Sequence, residues 1–173
     1  MSNNMELDNT KLLDFLGEID KELDTGIVLV AVGGTAMTLL NRKPSTRDVD
    51  FTIPSQFYDI FQAAMSLVPH GFEVQSWRDG DVFMNILPDD YLNRSSKIKT
   101  NLKNITLRAL HPVDIVVTKI GRLNERDIED IETCIKKFKL SRDDIEKRAG
   151  DMGYAGNDDA YAVNLGRVIK EYF

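Results

Sequence analysis

Two glycines and two aspartates are the residues whose types and spacing first suggest chemistry. In "VAVGGTAMTLLNRKPSTRDVDF", from Val30 to Phe51, Gly33 and Gly34 follow an apolar run directly, and Asp48 and Asp50 stand one residue apart inside another. On a strand, residues i and i+2 project from one face, roughly 7 Å apart at the backbone, so two carboxylates there repel unless a cation lies between them. A strand, a Gly-Gly turn and a helix leave backbone N–H groups at a positive helix terminus with no side chain to keep an anion away. Each feature also has a plain reading. Gly-Gly can simply turn a strand into a helix, and an edge strand facing water tolerates paired acids.

Composition narrows the cation. Cys134 is the only cysteine and His70 and His111 are the only histidines, so an internal disulfide and a cysteine-rich zinc site are excluded within one chain. A metal site must be built mainly from oxygen ligands, which points to Mg²⁺ or Mn²⁺. The chain has 173 residues, 42% hydrophobic and 29% charged, with a formal charge of -6. That balance fits one compact globular domain and argues against a general nucleic-acid coat. A local exception is the acid-free stretch from Tyr91 to Val113, with Arg94, Lys97, Lys99, Lys103 and Arg108. It reads as a solvated loop and strand edge, or as a surface for phosphate or an acidic partner. There is no basic leader followed by an apolar run, and no apolar stretch approaches the roughly 18 residues of a membrane span. A cytoplasmic location without membrane contact is expected.

The elements that must position these residues follow from periodicity. Leu12, Leu16, Ile19 and Leu23 form a helical stripe, and Ile27 to Val32 is a run short enough for a buried strand. Thr35 can cap a second helix through Leu40, which Pro44 and Ser45 stop. Val49, Phe51 and Ile53 alternate with Asp48, Asp50 and Thr52, predicting a strand with one polar face. Ser55 caps a helix over about 56–67. In "FEVQSWRDGDVFMNIL" the Asp79-Gly80 pair predicts a tight hairpin, pairing Arg78 with Asp81 and Val74 with Asn85. A strand over 105–110 precedes a proline-started helix from Pro112 and a helix over "ERDIEDIETCIKKF". "SRDDIEKRA" and the stretch from about Asp158 to the end supply two more. Strands in the middle and helices at both ends give an α+β fold. A core over 1–140 is expected, with a helical extension over 141–173 packed on it.

The Gly-Gly and Asp-x-Asp motifs together resemble the nucleotidyltransferase superfamily that includes DNA polymerase β. Within it, "GGTAMTLLNRKPSTRDVDF" is most similar to the small prokaryotic nucleotidyltransferases related to AbiEii-type toxins, and "LHPVDIVVTKIGRLNERDIEDI" resembles what those proteins carry after the sheet. The likeness covers about 12–140. It implies a central mixed sheet flanked by helices, and transfer of a nucleoside monophosphate from an NTP to an RNA or protein hydroxyl. It also implies Mg²⁺ or Mn²⁺ on Asp48 and Asp50, and a triphosphate on Gly33, Gly34 and the Thr35 hydroxyl and N–H. Lys119 matches the family's helix lysine, which neutralises phosphate charge. Asp127 and Asp130, spaced i, i+3 on one helical face, match its late acids, which hold that lysine or activate a hydroxyl. An antitoxin partner is a further implication.

One position departs from the pattern. These enzymes usually carry a third carboxylate on a later strand, and the predicted hairpin sets Asn85 there, a neutral and poorer cation ligand. Asn85 therefore favours the alternative, a non-catalytic nucleotide-binding or regulatory protein that keeps the fold, whereas Asp48 and Asp50 favour the enzyme. Asp114 and Asp89 are substitutes by composition, although Asp114 sits where a helix dipole alone explains an acid.

Overall fold

The computed structural model describes residues 5–173; the first four residues of the expected 1–140 core lie outside that range. After α1 (Asn9–Lys21), the chain runs through β1 (Ile27–Ala31), α2 (Gly33–Leu39), β2 (Val49–Ile53), α3 (Ser55–Met65) and β3 (Val74–Arg78). Next come the short β4 (Asp81–Val82), β5 (Asn85–Ile86), α4 (Tyr91–Arg94) and β6 (Ser96–Lys97), then β7 (Ile105–Ala109). The helices α5 (Pro112–Ile120), α6 (Glu125–Phe138), α7 (Arg142–Asp151) and α8 (Asp158–Tyr172) complete the chain, with β8 (Gly153–Tyr154) between the last two.

The main sheet has five strands in the order β3-β2-β1-β7-β6. It is mixed: β1 is parallel to β7 and β2 to β3, whereas β1–β2 and β6–β7 are antiparallel. β1 is an apolar run and β2 sets Asp50 and Thr52 among apolar residues, and both strands are buried along nearly their whole length, as central strands covered on both faces are. The fold is α+β, a central mixed sheet flanked by helices. Helix boundaries follow their caps. Asp8 accepts from Lys11 N at 2.9 Å to start α1; Asn124 and Asp127 form a capping box on α6; Ser141 accepts from Asp144 N to start α7.

The hairpin prediction fails. Asp79 and Gly80 do adopt positive φ, 50° and 87°, but the turn joins two sheets rather than two paired strands. β3 lies parallel to β2, with Val74 beside Val49. β4 pairs with β5 in a separate three-stranded sheet, ordered β4-β5-β8. Asp79 takes the Ser55 N–H at 2.7 Å, and Gly80 N donates to Thr52 Oγ1 at 2.8 Å. These contacts fasten the turn to β2 and α3. Val74 is thus not opposite Asn85, which pairs with Val82 and Tyr154.

Smaller corrections fall at element ends. α2 begins at Gly33, and its N-cap residue is Val32 with no side-chain cap, so Thr35 lies inside the first turn. Ser55 is the first residue of α3 and Pro54 its cap. β2 has no polar face open to water: all five of its residues are buried, and exposed Asp48 lies just before it.

The region 141–173 is held to the rest by specific contacts. Arg148 Nε and Nη2 grip the buried Asp114 at 2.6 and 3.1 Å, and Nη1 reaches Asp90 at 2.8 Å. Tyr161 Oη donates to Val117 O at 2.7 Å, and β8 completes the small sheet against β5.

Candidate active site

A cavity of about 490 Å³ opens between the β1–α2 turn, the start of β2, and the α5–α6 corner. Its acidic wall comes from β2 and β3. Asp50 is only 5% exposed, and its Oδ1 is buried with no hydrogen-bond partner among the described residues. Asp48 stands at the mouth. Burial first, and then the charge of Asp48, push the Asp50 pKa up to about 7, while Arg122 and Lys119 pull the other way. A buried carboxylate lacking donors is costly, and a cation between the two acids would remove both the repulsion and the orphaned oxygen.

Thr35 and Thr46 set the backbone of that wall. Thr35 Oγ1 donates to Asp48 O at 3.0 Å and accepts from Asp50 N at 3.0 Å; Thr46 Oγ1 donates to Asp48 O at 2.9 Å. The Thr35 hydroxyl, fully buried, is thus engaged in bracing the two aspartates. It does not line the cavity, contrary to the expected role as a triphosphate donor. Gly33 and Gly34 do line it, for different reasons. Gly33 has φ +54°, which only glycine adopts without strain. At Gly34 a Cβ would come within 2.8 Å of Thr46 Oγ1, so that glycine lets α2 approach the loop before β2.

The opposite wall is a network of charges. Lys119, 3% exposed, lies 3.0 Å from Asp130 Oδ2 and 3.4 Å from Asp127 Oδ1. Lys43 Nζ approaches Asp130 Oδ1 at 3.4 Å. Arg122 closes a two-pronged pair with Asp127, Nε to Oδ2 and Nη2 to Oδ1, both 2.8 Å. Burial opposes ionisation of Asp127, but the Arg122 bonds and Lys119 hold its pKa below the usual carboxylate range. Of the two roles expected for Asp127 and Asp130, their contacts match the holding of Lys119. Arg126 and Glu129 also line this wall, so four cations (Lys43, Lys119, Arg122, Arg126) stand against three acids (Asp127, Glu129, Asp130), while the lining as a whole holds five cations and seven acids.

The structure brings Gly33, Gly34, Asp48, Asp50, Lys119, Asp127 and Asp130 to one cavity. Asn85 is not among its lining residues. Its Nδ2 donates to Val82 O and Thr118 O, both at 3.0 Å, and the mapping that set it beside the aspartates fell with the hairpin. The neighbours of the acid pair on the next strand are instead Gln75, directly beside Asp50, and Glu73, one register step earlier, beside Asp48. Both line the cavity, and the Glu73 charge acts on Asp50. Sequence reading missed them because parallel register across a helix leaves no local signature. Arg122 and Phe83 were missed too, being brought in by tertiary packing. Arg47 also lines the cavity and donates from Nε to Glu6 Oε1 at 2.8 Å. Asp114 is bound to Arg148 and Asp89 is not among the lining residues, so neither substitutes as a third ligand. None of the five residues of the basic stretch lines the cavity. Arg108 donates to Ser95 Oγ and O, and Lys97 sits on the edge strand β6.

A family model described as a nucleotidyltransferase of unknown function (DUF6036) matches residues 10–171. The chain belongs to this nucleotidyltransferase family. The match spans both the sheet and the helices through α8, so every lining residue of the cavity except Glu6 lies inside the family's shared region. No curated protein and no solved structure matches the chain. Among the described residues no helix is long and apolar enough to cross a membrane.

Proposed function

We propose that this nucleotidyltransferase moves a nucleoside monophosphate from an NTP to a hydroxyl of an RNA or protein acceptor, with Mg²⁺ or Mn²⁺ held at Asp48 and Asp50. The observation that carries this reading is the arrangement of charge in the cavity: the buried, unpartnered Asp50 carboxylate beside Asp48 on one wall lies across from Lys119, Arg122, Lys43 and Arg126 on the other. A metal triphosphate has the complementary polarity. Among the described residues no three acidic, histidine or cysteine side chains gather as a metal cluster. Mg²⁺ commonly takes one or two carboxylates and completes its shell with substrate phosphates and water, so the two aspartates fit a cation that arrives with its nucleotide.

A bound divalent cation supplies Lewis-acid polarisation of the phosphates and lowers the pKa of the attacking hydroxyl. The chain's residues do the rest. Gly33 and Gly34 offer backbone to the phosphates, with no side chain in the way. Lys119, fixed by two aspartates, contributes a preorganised positive charge where negative charge grows on the phosphates. The acceptor oxygen forms a bond to the α-phosphorus, and the bond from that phosphorus to the bridging oxygen of the β-phosphate breaks. The electron pair leaves with pyrophosphate, and we assign the acceptor's proton to Glu73.

The likeness to AbiEii-type toxins extends this reading to an antitoxin partner and a cytoplasmic setting. The alternative, a non-catalytic nucleotide-binding or regulatory protein that keeps the fold, drew on Asn85 at the third acidic position; that amide is engaged on Val82 and Thr118 instead, and the alternative now draws on the lack of a third acid clustered with Asp48 and Asp50 among the described residues. Purified protein incubated with each labelled NTP, Mg²⁺ or Mn²⁺, and total RNA or protein tests the proposal. Label transfer by the wild type and none by Asp48→Asn or Asp50→Asn is expected. Equal transfer by all three would refute it.

A further inference from the structure

Phe83 is a bulky residue at φ +55°. It is the first central residue of the two-residue turn between β4 and β5, since Val82 pairs with Asn85. Turns with positive φ there favour glycine, and a large side chain persists in that strained conformation only where its surroundings enforce it. The surroundings are specific. The Phe83 ring lies 4.8 Å from the Trp77 ring, and the Arg122 guanidinium sits over it at 4.3 Å. Phe83 also lines the cavity and would touch a Cβ at Gly33 at 4.0 Å.

Arg122 is therefore fixed from two directions, with its guanidinium carbon over an aromatic face and its Nε–Nη2 edge on Asp127. Its contact with Asp127 uses the fork made by Nε and Nη2. The other fork, Nη1 with the second hydrogen of Nη2, makes no hydrogen bond among the described residues. The side chain is 45% exposed, in contrast to the enclosed Lys119. A guanidinium with one fork tied and the other free has the geometry for paired hydrogen bonds to a phosphate.

We infer that Arg122 grips the β- and γ-phosphates of the bound triphosphate through its free fork, and that Phe83 is the positioning residue that holds the guanidinium plane for that contact. This rests on the nucleotidyltransferase reading of the same cavity. Lys119 then supplies charge from behind, and Arg122 supplies direction.

Because the base is unidentified, the probes are inorganic tripolyphosphate and each of the four NTPs with Mn²⁺, titrated calorimetrically into the full chain. Arg122→Gln should weaken tripolyphosphate and NTP binding by roughly tenfold or more, the value of a charge-assisted pair, and leave binding of the corresponding monophosphates unchanged. Arg122→Lys keeps the charge without the fork and should recover only part of the loss; it also carries the test if the Gln variant does not fold. Phe83→Leu, apolar but without a ring face, should raise the KM for NTP with little change in kcat, and Phe83→Tyr should restore it. A wild type that binds NTP, with Arg122→Gln and Arg122→Lys binding equally well, overturns this inference alone. A wild type that binds neither NTP nor tripolyphosphate overturns the function reading and this inference with it.

Discussion

Asp50 carries a cost that its neighbours do not remove. Burial, followed by Asp48, raises its pKa to about 7 from an ordinary 3.8, against the pull of Arg122 and Lys119. A carboxyl whose pKa rises on folding binds its proton more tightly in the folded state. Its contribution to stability is therefore full below the unfolded value and is lost as pH climbs through about 7. Asp50→Asn should melt higher than wild type near pH 8, by roughly 2–4 °C for each kcal/mol relieved in a chain of this size, and the gap should close under acid conditions. A melting difference that does not change with pH would contradict this account of Asp50. Binding of Mn²⁺ with NTP needs the ionised carboxylate, so affinity should rise with pH through the same window. Asp48, Asp50 and Gly33 were legible in the sequence because their residue types are costly without a purpose. Lys119, Asp127 and Asp130 needed the family likeness. Glu73, Arg122 and Phe83 look ordinary until the chain is folded around them.

The elements explain why. β1, β2, α2, α5 and α6 were readable, since apolar runs, prolines and caps are local signals. β3 was assigned as a strand but to the wrong partner, because positive φ at Asp79 and Gly80 is compatible with a hairpin and equally with a turn between sheets. The α2–β2 seam shows what the two glycines do separately. Gly33→Ala forces an L side chain into the left-handed region and should cost about 1–2 kcal/mol. Gly34→Ala puts a methyl group 2.8 Å from Thr46 Oγ1 and should cost about 1–3 kcal/mol through overpacking. Since that hydroxyl also donates to Asp48 O, the Gly34 variant should lose Mn²⁺-NTP affinity as well. Urea unfolding paired with calorimetry separates the two effects; a Gly34→Ala protein of wild-type stability would show that the seam yields more easily than the contact suggests.

Over the whole molecule, the region 141–173 is tied to the site's supporting helix by a buried charge pair. Asp114, fully enclosed on α5, depends on Arg148 of α7. Arg148→Met should lower unfolding free energy by about 3–5 kcal/mol, because it strands a buried carboxylate; Asp114→Asn with Arg148→Met should recover part of that in denaturant titrations. If the single variant were as stable as wild type, the pair would not be what anchors α7. α5 also carries Lys119, so loss of this anchor should loosen the cationic wall of the cavity. The central claim is that the two walls meet across a metal-bound triphosphate, and Mn²⁺ binding followed by electron paramagnetic resonance tests it most directly. The account predicts weak Mn²⁺ binding to the protein alone, strong binding when NTP is added, and loss of that gain in the double variant Asp48→Ala, Asp50→Ala. Equal Mn²⁺ and NTP affinity in the wild type and the double variant would contradict it.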